Sequence, residues 1–76
     1  MDVKIYSTPS CGYCKMAKQY FQDNDISFEE YNVAEDAAKR EEMVQMTGQM
    51  GVPVIQVKDK VLIGFDQSAL EEMLQA

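Results

Sequence analysis

The chain has 76 residues, 46% of them hydrophobic and 26% charged, a composition that excludes disordered and low-complexity classes and makes one folded domain over residues 1–76 the expectation. Its formal net charge of −6 argues against a nucleic-acid binder, and no apolar run approaches the roughly 20 residues of a membrane span. The start, Met1-Asp2-Val3-Lys4-Ile5, lacks the basic-then-apolar pattern of a secretory signal, so the cytoplasm is the expected compartment.

Val3 to Tyr6 is short, β-branched and aromatic, and it stops at Ser7-Thr8-Pro9-Ser10, where Pro9 pushes Thr8 away from helical geometry; strand, then turn, is expected. From Gly12 to about Asp23, Cys14, Ala17 and Phe21 recur at helical spacing, and Asn24-Asp25 closes that helix. Ile26 to Tyr31 reads as a second strand. Asp36 then caps a helix in which Arg40, Met43, Val44 and Thr47 share a face, with Gly48 at its C-terminal end. Val54 to Val57 and Val61 to Ile63 flank Lys58-Asp59-Lys60 as a hairpin, and Leu70, Met73 and Leu74 mark a last helix whose start is signalled by Ser68 with Glu71 three residues on. The expected order is β-α-β-α-β-β-α. A strand-helix-strand opening implies a parallel pair with a right-handed crossover, the hairpin adds antiparallel strands, and helices must cover both faces of the sheet.

The chemistry-bearing stretch is "STPSCGYCKMAK", which holds the chain's two cysteines, Cys11 and Cys14. A disulfide staple across so short a loop stabilises little, and structural disulfides are uncommon in the cytoplasm. A tetrahedral zinc site needs four ligands, and two cysteines with no histidine cannot close one within a single chain, so no metal site is assigned; two chains pooling thiolates remain an alternative. The third reading is a reactive pair. Cys11 precedes the helix, where backbone N–H groups and the positive end of the dipole favour a thiolate, and Lys15 and Lys18 add positive potential. Cys14 falls one turn further on, on the apolar face, so Cys11 would attack a substrate disulfide and Cys14 would resolve the mixed disulfide. Gly12 and Tyr13 set the pair's geometry, although Tyr13 reads equally well as a half-exposed ring.

Gly51-Val52-Pro53 is either a plain strand start or a Val52-Pro53 step facing the cysteines, with the Val52 backbone free to pair with an extended substrate. Most methionines read as core filler, with Met50 a candidate apolar rim. Gly64-Phe65-Asp66 reads as a turn into the last helix, with Asp66 an alternative cap and Phe65 as packing. Acidic pairs such as Glu29-Glu30 and Glu41-Glu42 read as solvated faces.

Taken together, these segments resemble the glutaredoxins across essentially the whole chain. "CGYC" is similar to that family's usual "CPYC", and "AAKREEMVQMTGQMGVPVI" (Ala37 to Ile55) is similar to the helix and Val-Pro segment of small bacterial glutaredoxins. The resemblance implies a thioredoxin-like fold with strand order 2-1-3-4, a cis Pro53, Cys11 as nucleophile, Cys14 as resolving thiol, and disulfide-containing proteins as substrates; nothing in the sequence demands more than a monomer. It also implies a glutathione groove formed by the segment after the first strand, the Val52-Pro53 backbone, and a Gly-Gly-x-Asp segment before the last helix, with glutathione as a co-substrate and no tightly bound cofactor. Three residues before Cys11, where glutaredoxins often carry lysine, stands Thr8. Gly-Gly has become Gly64-Phe65, a step that resembles NrdH-type redoxins, which take electrons from thioredoxin reductase and pass them to ribonucleotide reductase. Asp66 still suits a glutathione amine. Gly12 in place of proline resembles family members that hold an iron-sulfur cluster between two chains, which is the alternative function.

Overall fold

The computed structural model describes residues 2–75. Seven elements follow in the expected order: β1 (Val3–Ser7), α1 (Gly12–Asp23), β2 (Glu29–Asn32), α2 (Ala37–Thr47), β3 (Val54–Val57), β4 (Lys60–Ile63) and α3 (Gln67–Gln75). They form one four-stranded sheet of order β2-β1-β3-β4. β1 and β2 are parallel, with Ile5 opposite Glu30, while β3 runs antiparallel to both β1 and β4, with Tyr6 opposite Val54 and Val54 opposite Ile63.

Strand alternation divides the core between the two faces of this sheet. Val3 and Ile5 of β1, with Ile55 and Val57 of β3, turn toward α1 and α3, where Ala17, Phe21 and Leu70 complete a buried cluster. Tyr6 and Val54 point the other way and pack with Val33 and Met43 of α2. The helices therefore cover both faces, as the crossover required.

α1 starts and ends on local signals. Cys11 is its N-cap, and at the far end Ile26 N–H bonds Phe21 O (2.8 Å) and Asp25 N–H bonds Gln22 O (3.3 Å), with Asp25 left-handed at φ 55°. This is a Schellman ending with its apolar residue, Ile26, folded back onto the core. The expected strand from Ile26 is therefore corrected to Glu29–Asn32: the Ile26 amide closes the helix and is lost to the ladder.

α2 is capped by Asp36, whose Oδ1 accepts from Lys39 N–H at 3.1 Å, and ends at Gly48, where φ of 74° suits a residue without Cβ. Of the four residues expected on its inner face, Met43 alone is buried; Arg40 instead donates to Val33 O (3.2 Å), and Thr47 Oγ1 donates to Met43 O (2.8 Å). β4 begins at Lys60, one residue before expectation, so Lys58-Asp59 is the turn. The Ser68 cap is also corrected, in favour of the alternative cap, Asp66. Asp66 Oδ1 accepts from Ala69 N–H (3.3 Å) and Asp66 O accepts from Leu70 N–H (2.9 Å), so α3 starts at Gln67. Among the methionines, Met43, Met46 and Met73 pack against the two cores, whereas Met16 and Met50 are exposed; Met1 lies outside the described residues.

Candidate redox site

Strand direction gathers the candidate residues. β1 runs to Ser7 and hands the chain to Thr8-Pro9-Ser10-Cys11; β3, antiparallel, starts at Val54 opposite Tyr6; β4 ends at Ile63 opposite Val54. The turn before Cys11, the Val52-Pro53 step and Gly64-Phe65-Asp66 thus leave the sheet at one end. Gly64 N–H bonds Pro53 O (2.8 Å), which ties the last two segments together, and the Val52–Pro53 bond is cis. Gly64 has φ of 88°, a left-handed backbone that favours glycine even though space around it is open.

At the helix start, Cys11 Sγ accepts a hydrogen bond from Cys14 N–H at 3.1 Å. The sulfur occupies the place usually taken by a Ser or Asp oxygen in an N-cap, so negative charge on it meets a backbone donor and the helix dipole. Cys11 N–H in turn bonds Thr8 O (3.2 Å), which holds the loop against the helix. Both cysteines are free thiols, Cys11 half-buried and Cys14 fully buried. The two sulfurs sit in different surroundings. Burial, reinforced by the neighbouring Cys11 sulfur, pushes the Cys14 thiol up to about 12, while the Thr8 backbone and the Lys18 charge pull in the other direction.

The remaining candidates fall into two groups. Tyr13 is exposed (63%), as is Met50 (65%), so both face solvent at this end of the molecule, while Pro53 is buried and Val52 and Thr8 are half-buried. Phe65 is turned inward: its ring lies 6.1 Å from that of Tyr20 and packs against the α1 and α3 core. The Asp66 carboxylate, exposed, is occupied in capping α3. Among the described residues, no group of three or more His, Cys, Asp or Glu side chains is placed to hold a metal ion.

One cluster beside the cysteines escaped the sequence reading. Ser7 Oγ donates to Glu30 Oε2 (2.8 Å) and Lys18 Nζ donates to the same oxygen (2.7 Å), so Glu30 is paired rather than a merely solvated member of an acidic pair. Lys18, foremost among the causes, holds the Glu30 carboxyl below the usual range. The signal was present: Lys18 follows Cys14 by one helical turn, and alternation along β2 places Glu30 on the α1 side. The same alternation puts Glu29 and Tyr31 on the α2 side, where Tyr31 hydroxyl donates to Glu29, Tyr6 hydroxyl donates to Glu42 (3.0 Å), and Lys39 pairs with Glu42 (3.3 Å).

Comparison with known proteins agrees with this geometry. A glutaredoxin-like 8.6 kDa protein of the rubredoxin operon of Clostridium pasteurianum is 40% identical over 73 residues, covering 96% of this chain and 97% of the relative. The glutaredoxin-like protein NrdH of Lactococcus lactis (strain IL1403) is 34% identical over 71 residues, covering 93% and 97%. The crystal structure of the T8A mutant of the thioredoxin-like protein BC3987 superposes with a TM-score of 0.90 at 26% identity, covering 96% of this chain and 94% of that one. The family profile described as Glutaredoxin matches residues 3–62, and with the Cys11–Cys14 pair opening α1 and the sheet order β2-β1-β3-β4, the chain belongs to the glutaredoxin family.

Proposed function

We propose that this protein is a thiol-disulfide oxidoreductase that reduces protein disulfides by a dithiol route. One observation carries the reading: the sulfur of a half-buried Cys11 held at a helix N-cap by the amide of a buried Cys14. The Cys11 thiolate attacks one sulfur of a substrate disulfide, the substrate S–S bond breaks, and the first thiolate leaves. Cys14 then gives up its proton, attacks Cys11 Sγ and releases the second substrate thiolate, so that the substrate gains two electrons and the protein is left as a Cys11–Cys14 disulfide. The exposed Tyr13 and Met50, with the Val52 backbone before Pro53, are the surface against which an extended substrate strand would lie.

The electron donor in this reading is a thioredoxin reductase rather than glutathione, and ribonucleotide reductase is the leading substrate, by likeness to the NrdH relative. Three features support it. Thr8 supplies no positive charge for a glutathione carboxylate, Phe65 fills the second Gly position with a ring packed on Tyr20, and the Asp66 carboxylate is engaged with Ala69. Burial of Cys14 weighs against two chains pooling four thiolates, and no observation favours the other form of the alternative, a cluster held by Cys11 of two chains with glutathione. Glutathione then acts at most as a slow co-substrate, and no cofactor is required. A reducing compartment, the cytoplasm, is the setting such a dithiol needs.

The test is to count free thiols on oxidised protein with NADPH and thioredoxin reductase, and separately with reduced glutathione. Rapid reduction by the reductase alone is expected; rapid reduction by glutathione alone overturns the donor. Cys11→Ser should abolish disulfide reduction, and Cys14→Ser should accumulate mixed disulfides. Full turnover by Cys11→Ser would sink the mechanism.

A further inference from the structure

Lys18, Glu30 and Ser7 have no part in the scheme above, yet they meet one helical turn along α1 from the resolving thiol. Cys14 and Lys18 are four residues apart on α1, so their side chains lie on the same face one turn apart. Lys18 does not extend freely into solvent: Nζ is held at 2.7 Å by Glu30 Oε2, itself fixed at 2.8 Å by the hydroxyl of the fully buried Ser7. A cleft of about 300 Å³ lined by Ser7, Thr8, Lys18, Glu30 and Asn32 opens beside the turn that leads to Cys11. An ammonium anchored in this way stays on the Cys14 face of α1. The pair is itself partly exposed, 28% for the Lys18 side chain and 39% for that of Glu30, but Cys14 is buried, and toward it the charge acts through less water than across an open surface.

We infer that Lys18 is an electrostatic positioning residue for the second step of the reaction, stabilising the Cys14 thiolate as it forms, and that Glu30 sets how much of that charge Cys14 feels. This rests on the dithiol reading proposed above. The Cys14 proton leaves to solvent, the thiolate forms a bond to Cys11 Sγ, and the substrate sulfur departs with the electron pair. Burial opposes this ionisation, and of the charged side chains that act on Cys14, Lys18 alone favours it; Cys11 opposes it. The Thr8 backbone contributes in the same direction as Lys18. From β3 and α3, the core beneath α1 receives Ile55, Val57, Leu70, Met73 and Leu74, and none of these ionises.

The sign follows from charge. Below its ionisation range, Cys14 reacts in proportion to its thiolate fraction, partly offset because a more basic thiolate is the better nucleophile. Removing Lys18's charge lowers the thiolate fraction and slows resolution. Replacing Glu30 by Gln keeps an oxygen to accept from Lys18 but removes the opposing charge, and speeds it. Opposite effects from the two partners of one ion pair distinguish an electrostatic role from a structural one, in which both substitutions would loosen the same contact and slow the reaction together.

The experiment is stopped-flow reaction of the reduced protein with a nitrobenzoate disulfide, whose two released thiolates report Cys11 attack and Cys14 resolution as successive absorbance phases, followed across neutral to alkaline pH. In Lys18→Gln the second phase should slow by about two- to fivefold with its pH profile displaced upward, Lys18→Arg should restore it, and Glu30→Gln should quicken it by a smaller factor. The first phase should change less than the second in all three, and Lys39→Gln, the same charge change on the opposite face, should alter neither phase. An unmoved second phase in Lys18→Gln, or equal slowing by Lys18→Gln and Glu30→Gln, overturns the inference. Absence of a second thiolate release from the unsubstituted protein would instead overturn the dithiol reading.

Discussion

The two faces of the sheet are built differently. Toward α1 and α3, seven buried side chains form an apolar cluster, and Phe65, Tyr20, Ile26, Phe28 and Leu62 close over it. Toward α2 the buried set is four, Tyr6, Val33, Met43 and Val54, and the junction is held as much by hydroxyls and charges: Tyr6 on Glu42, Lys39 on Glu42, and the Lys39 ammonium 4.3 Å above the Tyr31 ring. The cysteine pair is mounted on the first face. The proposed dithiol route asks the two sulfurs to keep a fixed relation through each cycle, and a dense apolar base, which tolerates few alternative packings, provides that. α2 carries neither cysteine and can be attached more loosely.

Substitutions that empty one face should therefore cost more than those on the other. Phe21→Ala removes a fully buried ring that stacks against Phe28 at 5.1 Å between centroids, and should cost about 3–5 kcal/mol, a large share of the roughly 5–15 kcal/mol that stabilises a typical domain. Met43→Ala, in the smaller cluster, should cost about 2 kcal/mol, near the low end for such truncations, because half-buried Met46 and Val52, packed against that cluster, can relax toward the space. Urea unfolding curves measure both. A larger loss from Met43→Ala would reverse the ranking of the faces.

Acid should act on both faces through their paired carboxylates. Glu30, held down mainly by Lys18, and Glu42, held down mainly by the Tyr6 hydroxyl, are both lower in the folded protein than in the unfolded chain. Their contribution is present above the ordinary carboxylate range and is lost as pH falls through the lowered folded values. Tyr6→Phe and Lys18→Gln should each flatten the fall of the urea midpoint between neutral and acid pH, one on each face. A midpoint as steeply acid-dependent in both variants as in the unsubstituted protein would remove these pairs from the account.

The smallest effect lies at the alkaline end and belongs to the α2 face. Burial, with the Glu42 hydrogen bond, raises Tyr6 to about 12, and the hydrogen bond to Glu29, with burial, raises Tyr31 to about 12. The stability these groups confer is present below the ordinary tyrosine value and is lost as pH rises through about 12. An absorbance titration should show Tyr6 and Tyr31 ionising at the far alkaline end, with one such step fewer in Tyr6→Phe. Ionisation of all four tyrosines in a single early step would contradict the Tyr6–Glu42 and Tyr31–Glu29 bonds.

Much of the molecule was legible in the residues because the signals are local. Cys14, Ala17 and Phe21 at helical spacing, Asp36 as a cap, Gly48 as a stop and the Val54–Val57 strand each act through the few residues around them, so the element order follows from the chain alone. The misreadings were equally local in origin: Ile26 is apolar and β-branched, but its amide serves the end of α1, and Ser68 has capping-box spacing, but Asp66 reaches the α3 amides first. Two local signals competed, and hydrogen bonding chose between them.

The two cysteines, their spacing and their place at a helix start were determined by the sequence, since a motif four residues long carries its own geometry. The packing of Phe65 on Tyr20 and the meeting of Ser7, Glu30 and Lys18 were decided only by tertiary structure. Those contacts join β1, α1 and β2, or β4, α3 and α1, across intervals that no local propensity reaches. Sheet register and helix docking set them: Ile5 opposite Glu30 on β2, and α1 laid across that face, bring three polar residues scattered along the chain to one carboxylate oxygen.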